Sequence, residues 1–287
     1  MKTIDLNGLK RIQLDILSYL DKFCQENGIN YSVSGGTAIG AIRHEGFIPW
    51  DDDIDLMMKR EDYEKFINTF NDPTGVYKVH CLENDENYSL PFAKIEDSRT
   101  LLYENSTTET LGINIDIFPS DYLGDTIEES EDVVDEISKD RFKLKVKLVR
   151  PGKKNSFIKK LGIIIFKTLY LAVGKRNIAE KIQDRAISYS NQGKKMYCGC
   201  VVWGYGKKEI IPSYVFDEFI RVNFEDRQFS IVKGYDTYLT SVYGDYMQLP
   251  PIEKRQSPHT LNNVFWKDGF PKKITIEEIS YENTFSK

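Results

Sequence analysis

Gly46-Phe47-Ile48-Pro49-Trp50-Asp51-Asp52-Asp53-Ile54-Asp55-Leu56 sets four carboxylates within five residues, shortly after Ser34-Gly35-Gly36-Thr37. At neutral pH acids this close repel, and each raises the pKa of its neighbours until a cation is bound. If Ile54 and Leu56 point into a core, the alternation of a strand sends Asp53 and Asp55 together to the opposite face, where both reach one ion. Such an all-oxygen donor set suits Mg²⁺, which is usually held by one or two carboxylates plus substrate phosphates, or Mn²⁺. Asp51 and Asp52 then belong to the turn or to a layer behind the ligands. The competing reading is a solvated acidic turn.

Working outward, Ile113-Asn114-Ile115-Asp116-Ile117-Phe118-Pro119 alternates apolar and polar residues and ends at a proline. It reads as a short strand that puts Asn114 and Asp116 on one face and makes Asp116 a third candidate ligand. Upstream, Leu9, Ile12, Ile16, Leu17, Leu20 and Phe23 recur at helical spacing up to Asn27-Gly28. Tyr31 to Ser34 then reads as a strand delivering the Gly-Gly turn, followed by a short helix from Thr37 to Ile42 and another from Arg60 to Phe70. Glycine lets backbone N–H groups approach a phosphate, so Gly35, Gly36 and Thr37 are candidate substrate contacts. Arg43, His44 and Lys94 are the candidate cations for a diphosphate, Arg43 alternatively pairing with an aspartate to hold the loop. Two strands carrying Asp-x-Asp and a single Asp after a Gly-Gly turn form the pattern of the nucleotidyltransferase superfamily.

The run from Gly36 to Asp55, with Phe92-Ala93-Lys94-Ile95, Asn114 to Pro119, Tyr243-Gly244-Asp245-Tyr246-Met247 and Leu249-Pro250-Pro251, resembles the LicD family of phosphotransferases. The resemblance implies an α/β (α+β) fold: a nucleotidyltransferase-like mixed sheet flanked by helices, with additional helical segments in the middle and C-terminal part. It implies a single catalytic domain over 1–287 with a poorly matching segment at about 125–190. It further implies transfer of phosphocholine from a CDP-choline donor to a sugar hydroxyl of a glycopolymer or lipid-linked oligosaccharide acceptor, such as teichoic acid or lipopolysaccharide, with CMP leaving. Asp53, Asp55 and Asp116 match the family's catalytic, metal-binding acids. Other CDP-alcohols, a nucleotidyl transfer that releases pyrophosphate, and a non-catalytic scaffold remain as alternatives.

The rest of the chain sets bounds. With 287 residues, 40% of them hydrophobic, and 17 Tyr and 16 Phe, it is long and apolar enough for a full core. A net charge of −5 gives no basic footprint for a nucleic-acid partner, and none is expected. Cysteines 24, 81, 198 and 200 lack zinc spacing and read as buried thiols. Met1-Lys2-Thr3-Ile4-Asp5-Leu6 has no secretory apolar core, so cytoplasmic residence is expected.

Residues 125–140 hold eight acids and 141–160 nine Lys or Arg, followed by an apolar run over 161–173 that Lys167 interrupts. The run is shorter than the roughly 20 residues a membrane span needs. It reads either as an interfacial element giving peripheral association with the inner face of the membrane or as an ordinary buried helix beside a solvated charged one. Trp203, Tyr205, Tyr243 and Tyr246, with Glu225 or Asp245, are candidates for a cation-binding aromatic cage, weighed against plain core packing.

Overall fold

The apolar stripe near the N-terminus forms helix α1 (Leu6–Asn27), with Leu9, Ile16, Leu17 and Leu20 buried. Asp5 caps it by accepting from the Gly8 N–H at 2.7 Å, and Gly28 ends it in the left-handed conformation at φ 59°. The computed structural model describes residues 2–104, 111–148, 173–256 and 261–268.

After α1 come β2 (Ser32–Val33), α2 (Gly35–His44), β3 (Asp55–Lys59) and α3 (Arg60–Thr69), preceded by a short β1 (Lys2–Thr3). Next are β4 (Tyr77–His80), β5 (Ala93–Glu104), β6 (Leu111–Tyr122), α4 (Ile127–Leu148) and α5 (Lys175–Ser190). The C-terminal part adds β7 (Tyr197–Gly199), β8 (Ile211–Pro212), β9 (Phe219–Phe224), β10 (Arg227–Val232), α6 (Tyr235–Tyr243) and β11 (Leu261–Trp266). The expected mixed sheet flanked by helices is what forms. Its central order is β1-β11-β5-β6-β3-β2, with β4 beside β5 and β7-β8 extending from β6. β3 and β6 run parallel, and the other pairings among the described residues are antiparallel.

Strand β6 runs on past Pro119 to Tyr122, further than its alternation predicts. The Asp116 N–H donates to Ile54 O at 2.9 Å on the β3 side, so the N–H missing at Pro119 would have pointed toward β5. There β5 has already run out, its first pair being Ala93 with Ile117, and no ladder bond is lost. The acidic run and the first basic residues after it form α4, which packs with α5, and Val134, Ile137, Ala179 and Ile182 of the two helices are buried. One hydrophobic cluster takes in side chains from Ile4 to Val264. All four cysteines are buried free thiols, as expected. Of the basic and apolar segment, residues 149–172 lie outside the described residues; among the described ones no helix is long and apolar enough to cross a membrane.

Candidate active site

Ile54 and Leu56 are fully buried, so the carboxylate of Asp55 is left on the opposite face of β3. Asp53 stands just before that strand, which begins at Asp55 and not earlier. In the parallel register Asp55 lies opposite Asp116; Asp116 lies opposite Lys94, and Lys94 opposite His80. Directly paired residues share a face, so one row of ionisable side chains crosses β3, β6, β5 and β4. Lys94 is ion-paired with Asp116 and donates to Asn114 Oδ1 at 3.1 Å. His80 ends the row between Asp85 (2.9 Å) and Glu96 (3.1 Å); burial lowers its pKa, but the bonds to these two carboxylates outweigh it and the net shift is upward.

Asp55 keeps slight solvent contact at the strand's start, yet its carboxyl group is embedded in protein. Its pKa lies well above the usual carboxylate range because of burial first, then Asp53 and Asp116, with Asp51 behind them and Lys94 opposing. Oxygens of Asp51, Asp52 and Asp53 all lie within 4.8 Å of one another. This all-oxygen set fits a hard divalent cation, whereas the expected trio Asp53, Asp55 and Asp116 is not gathered that tightly among the described residues, Asp55 and Asp116 facing each other across β3 and β6. Asp51 thus stands closer to the expected ligands than its place in the turn suggests.

Two glycines make this approach possible. A Cβ at Gly35 would stand 2.9 Å from Asp55 Oδ2, and one at Gly36 would stand 2.6 Å from Asp51 Oδ2. Gly35 is also left-handed, at φ 55°, where it opens α2. Its N–H, expected to meet a phosphate, donates instead to the Tyr238 hydroxyl at 3.0 Å. Thr37 also serves the scaffold, its Oγ1 accepting the Asp55 N–H at 2.9 Å while Asp55 O accepts from Ser34. The expected Thr37 to Ile42 helix is therefore longer at both ends.

Arg43 and His44 lie at the other end of α2 from Gly35. Arg43 binds neither aspartate nor open space: it donates to Tyr246 O at 2.5 Å, Gln248 O at 3.2 Å and His44 Nε2 at 3.0 Å. Burial and then the Arg43 charge push the His44 pKa down, keeping it an acceptor. The pair thus fixes the 246–248 loop.

Other supports were not legible as such. Buried Gln13, a polar residue within the apolar stripe of α1, donates to Asp52 O at 3.1 Å and Asn114 O at 3.2 Å, tying the acidic loop to β6. The turn of the β9–β10 hairpin clasps the loop's other end: Glu225 N donates to Glu45 O at 2.7 Å, and Glu225 Oε1 accepts the Phe47 N–H at 3.0 Å. Glu225 therefore acts on the loop, not in a cage.

The loop from Val201 to Tyr205 borders the site and is held by α4 and by Glu209. Arg141 donates to Val201 O (3.1 Å) and Gly204 O (2.7 Å), and Glu209 Oε2 accepts the Tyr205 N–H at 2.6 Å. Burial raises the Glu209 pKa from 4.5 to about 7, against the Tyr205 N–H, Arg141 and Lys145, which lower it. The folded chain keeps a proton that the unfolded chain releases near pH 4.5, so this group's contribution to stability is lost as pH rises through about 7. Glu209→Gln keeps an acceptor for Tyr205 and removes the ionisation. Relative to the wild type it is expected to gain on the order of 3 kcal/mol between about pH 5 and about pH 8, read by urea melts. An equal difference at both pH values would show that Glu209 is already ionised in the fold.

Among the described residues the sheet's one parallel pair aligns two aspartates beside a glycine-opened helix, the arrangement expected above of a nucleotidyltransferase-like protein, and the family comparison names that class. Residues 28–161 match the family described as LicD/FKTN/FKRP, nucleotidyltransferase domain. Over 279 residues, 92% of this chain and 99% of the other, the chain is 31% identical to the lipopolysaccharide cholinephosphotransferase LicD of Haemophilus influenzae. Shorter matches are to an uncharacterized protein of Rickettsia prowazekii, 35% identical over 63 residues (22% of this chain, 24% of that one), and to one of Rickettsia typhi, 49% over 37 residues (13% and 12%). The chain belongs to the LicD family, and the expectation of a transferase is met with it.

Proposed function

We propose that the protein transfers phosphocholine from CDP-choline to a sugar hydroxyl of a cell-surface glycopolymer, lipopolysaccharide or teichoic acid, with release of CMP. The observation that carries this reading is the similarity to the Haemophilus influenzae cholinephosphotransferase along nearly the whole of both chains.

Asp53, Asp55 and Asp116 are the residues that would hold Mg²⁺ or Mn²⁺, with Asp51 adjoining them. A bound divalent ion would supply neutralisation of charge on the transferring and departing phosphates. The chain's own groups account for the rest. Lys94, held toward the acids by its ion pair with Asp116 and its bond to Asn114, would set an ammonium beside the phosphate. The acceptor hydroxyl oxygen attacks phosphorus, its proton passes to Asp116, and the bond to the CMP oxygen breaks. Residence in the cytoplasm, with peripheral attachment at the inner face of the membrane through the basic segment, would bring the enzyme to a lipid-carried acceptor.

The test is CMP release from CDP-choline with Mg²⁺ and a cell-envelope glycan, using Asp53→Ala/Asp55→Ala as control. Acceptor-dependent CMP from the intact protein alone is expected. No CMP, with pyrophosphate released from a nucleoside triphosphate, would replace this reading with nucleotidyl transfer.

A further inference from the structure

Trp203, Tyr205, Tyr243 and Tyr246 are the aromatic candidates for a cage, and the structure separates their roles. The Lys145 ammonium lies 4.8 Å from the centroid of the Trp203 ring, which also packs on Phe92 at 5.3 Å, so Trp203 already carries a cation. Tyr246 is 8% exposed and bonds Asp236 through its hydroxyl at 2.7 Å. Tyr205 and Tyr243 differ from both. Their rings meet nearly at right angles, 69° with centroids 5.4 Å apart, and Tyr205 is 59% exposed. The Tyr243 hydroxyl stands 3.6 Å from where a Cβ at Gly35 would lie, on the side of the Asp55 carboxylate. The Tyr205 pKa is raised by burial first, against a hydrogen bond with Tyr243 that lowers it, and then by the charges of Asp55, Glu209 and Asp53.

We propose that the corner formed by Tyr205 and Tyr243 receives the quaternary ammonium of the phosphocholine group. This rests on the reading of the transferred group given above. A trimethylammonium donates no hydrogen bond, so it is recognised by aromatic surface and nearby negative charge. Choline's two-carbon link keeps that ammonium close to its phosphate, so its receiver must adjoin the acids, as these two rings do. The corner is also built rigidly. Glu209 and Arg141 clamp the backbone around Tyr205 from two sides, and Glu209 Oε2 occupies the space a Cβ at Gly204 would need, 1.5 Å from it. A wall fixed in advance loses little freedom when the ligand arrives.

Calorimetric titration of the full chain with CDP-choline, CDP-glycerol and CDP, without acceptor, tests this. Tyr205→Leu is expected to weaken CDP-choline binding by about fivefold to thirtyfold, with CDP-glycerol and CDP unchanged and Tyr205→Phe restoring the wild-type value. Tyr243→Leu should act in the same direction. A choline preference that survives in both leucine variants, or an equal loss for CDP-choline and CDP-glycerol, would overturn the corner while leaving the phosphocholine reading in place. A wild-type protein that does not prefer CDP-choline to CDP-glycerol would overturn that reading and the corner with it.

Discussion

Asp55→Asn is expected to reduce turnover by about a thousandfold or more while raising the melting temperature of the metal-free protein. The two effects have one cause. Burial and the carboxylates of Asp53, Asp116 and Asp51 all oppose ionisation of Asp55, and Lys94 offsets them only in part. A group whose folded pKa is raised contributes stability below its unfolded pKa and loses that contribution as pH rises through the folded value. Metal-free wild type should therefore lose stability on going from about pH 4 toward neutrality through this group, and the asparagine variant should lose less. Mg²⁺ should restore the wild type and leave the variant unmoved, because linkage stabilises only the state that binds. Thermal melts at acid and neutral pH, with and without Mg²⁺, read all of this. An asparagine variant that melts below the wild type without metal would show that Asp55 is not strained by its neighbours and would remove the basis for a cation there.

The second large effect concerns stability alone. Arg60 binds Asp121 through two bonds, Nε to Oδ1 at 2.7 Å and Nη2 to Oδ2 at 2.8 Å, with side-chain exposures of 7% and 0%. Ser190 Oγ adds a third contact to Asp121 at 3.0 Å, tying α3, β6 and α5 together. Arg60→Met leaves a buried carboxylate with one hydroxyl for a partner and should cost about 3–5 kcal/mol in urea unfolding. The double replacement Arg60→Met/Asp121→Leu should recover most of that loss, because no charge is then stranded. Asp121 is five positions along β6 from Asp116, roughly 17 Å away, so kcat of the folded fraction should hold. Equal destabilisation of the single and double variants would mean that the side-chain packing, and not the buried charge, is what matters.

Much of this was legible locally. The stripe Leu9 to Leu20 with Gly28, the buried Ile54 and Leu56 beside Asp55, and the alternation around Asp116 each follow from neighbours a few positions apart. Pro119 misled because whether a missing N–H matters depends on where β5 begins, which β6 does not encode. Arg43 misled for the same reason at longer range: its partners, Tyr246 and Gln248, lie 203 and 205 positions on. Tyr238 meets Gly35 across 203 positions, so nothing in the Gly-Gly turn reveals that one of its N–H groups is taken. Gln13 gave a faint signal, a polar side chain inside an apolar stripe, but only the fold shows the two carbonyls it joins. The parallel register that sets Asp55 opposite Asp116 could be expected from type and not from position, because it is fixed by the long connection between β3 and β6.

The Glu225 clasp also bears on how the enzyme comes into being. Asp53, Asp55 and Asp116 are all made well before the residue that grips Glu45 and Phe47, which lies 178 positions beyond Phe47. Contacts that close so long a stretch of chain form late. A nascent polypeptide shorter than that carries all three acids, with Gln13 and Thr37 to hold the backbone at Asp52 and Asp55, but lacks the clasp on the start of the acidic loop. The acidic loop is thus fully fastened only once residue 225 has been made and the β9–β10 hairpin has turned back onto it.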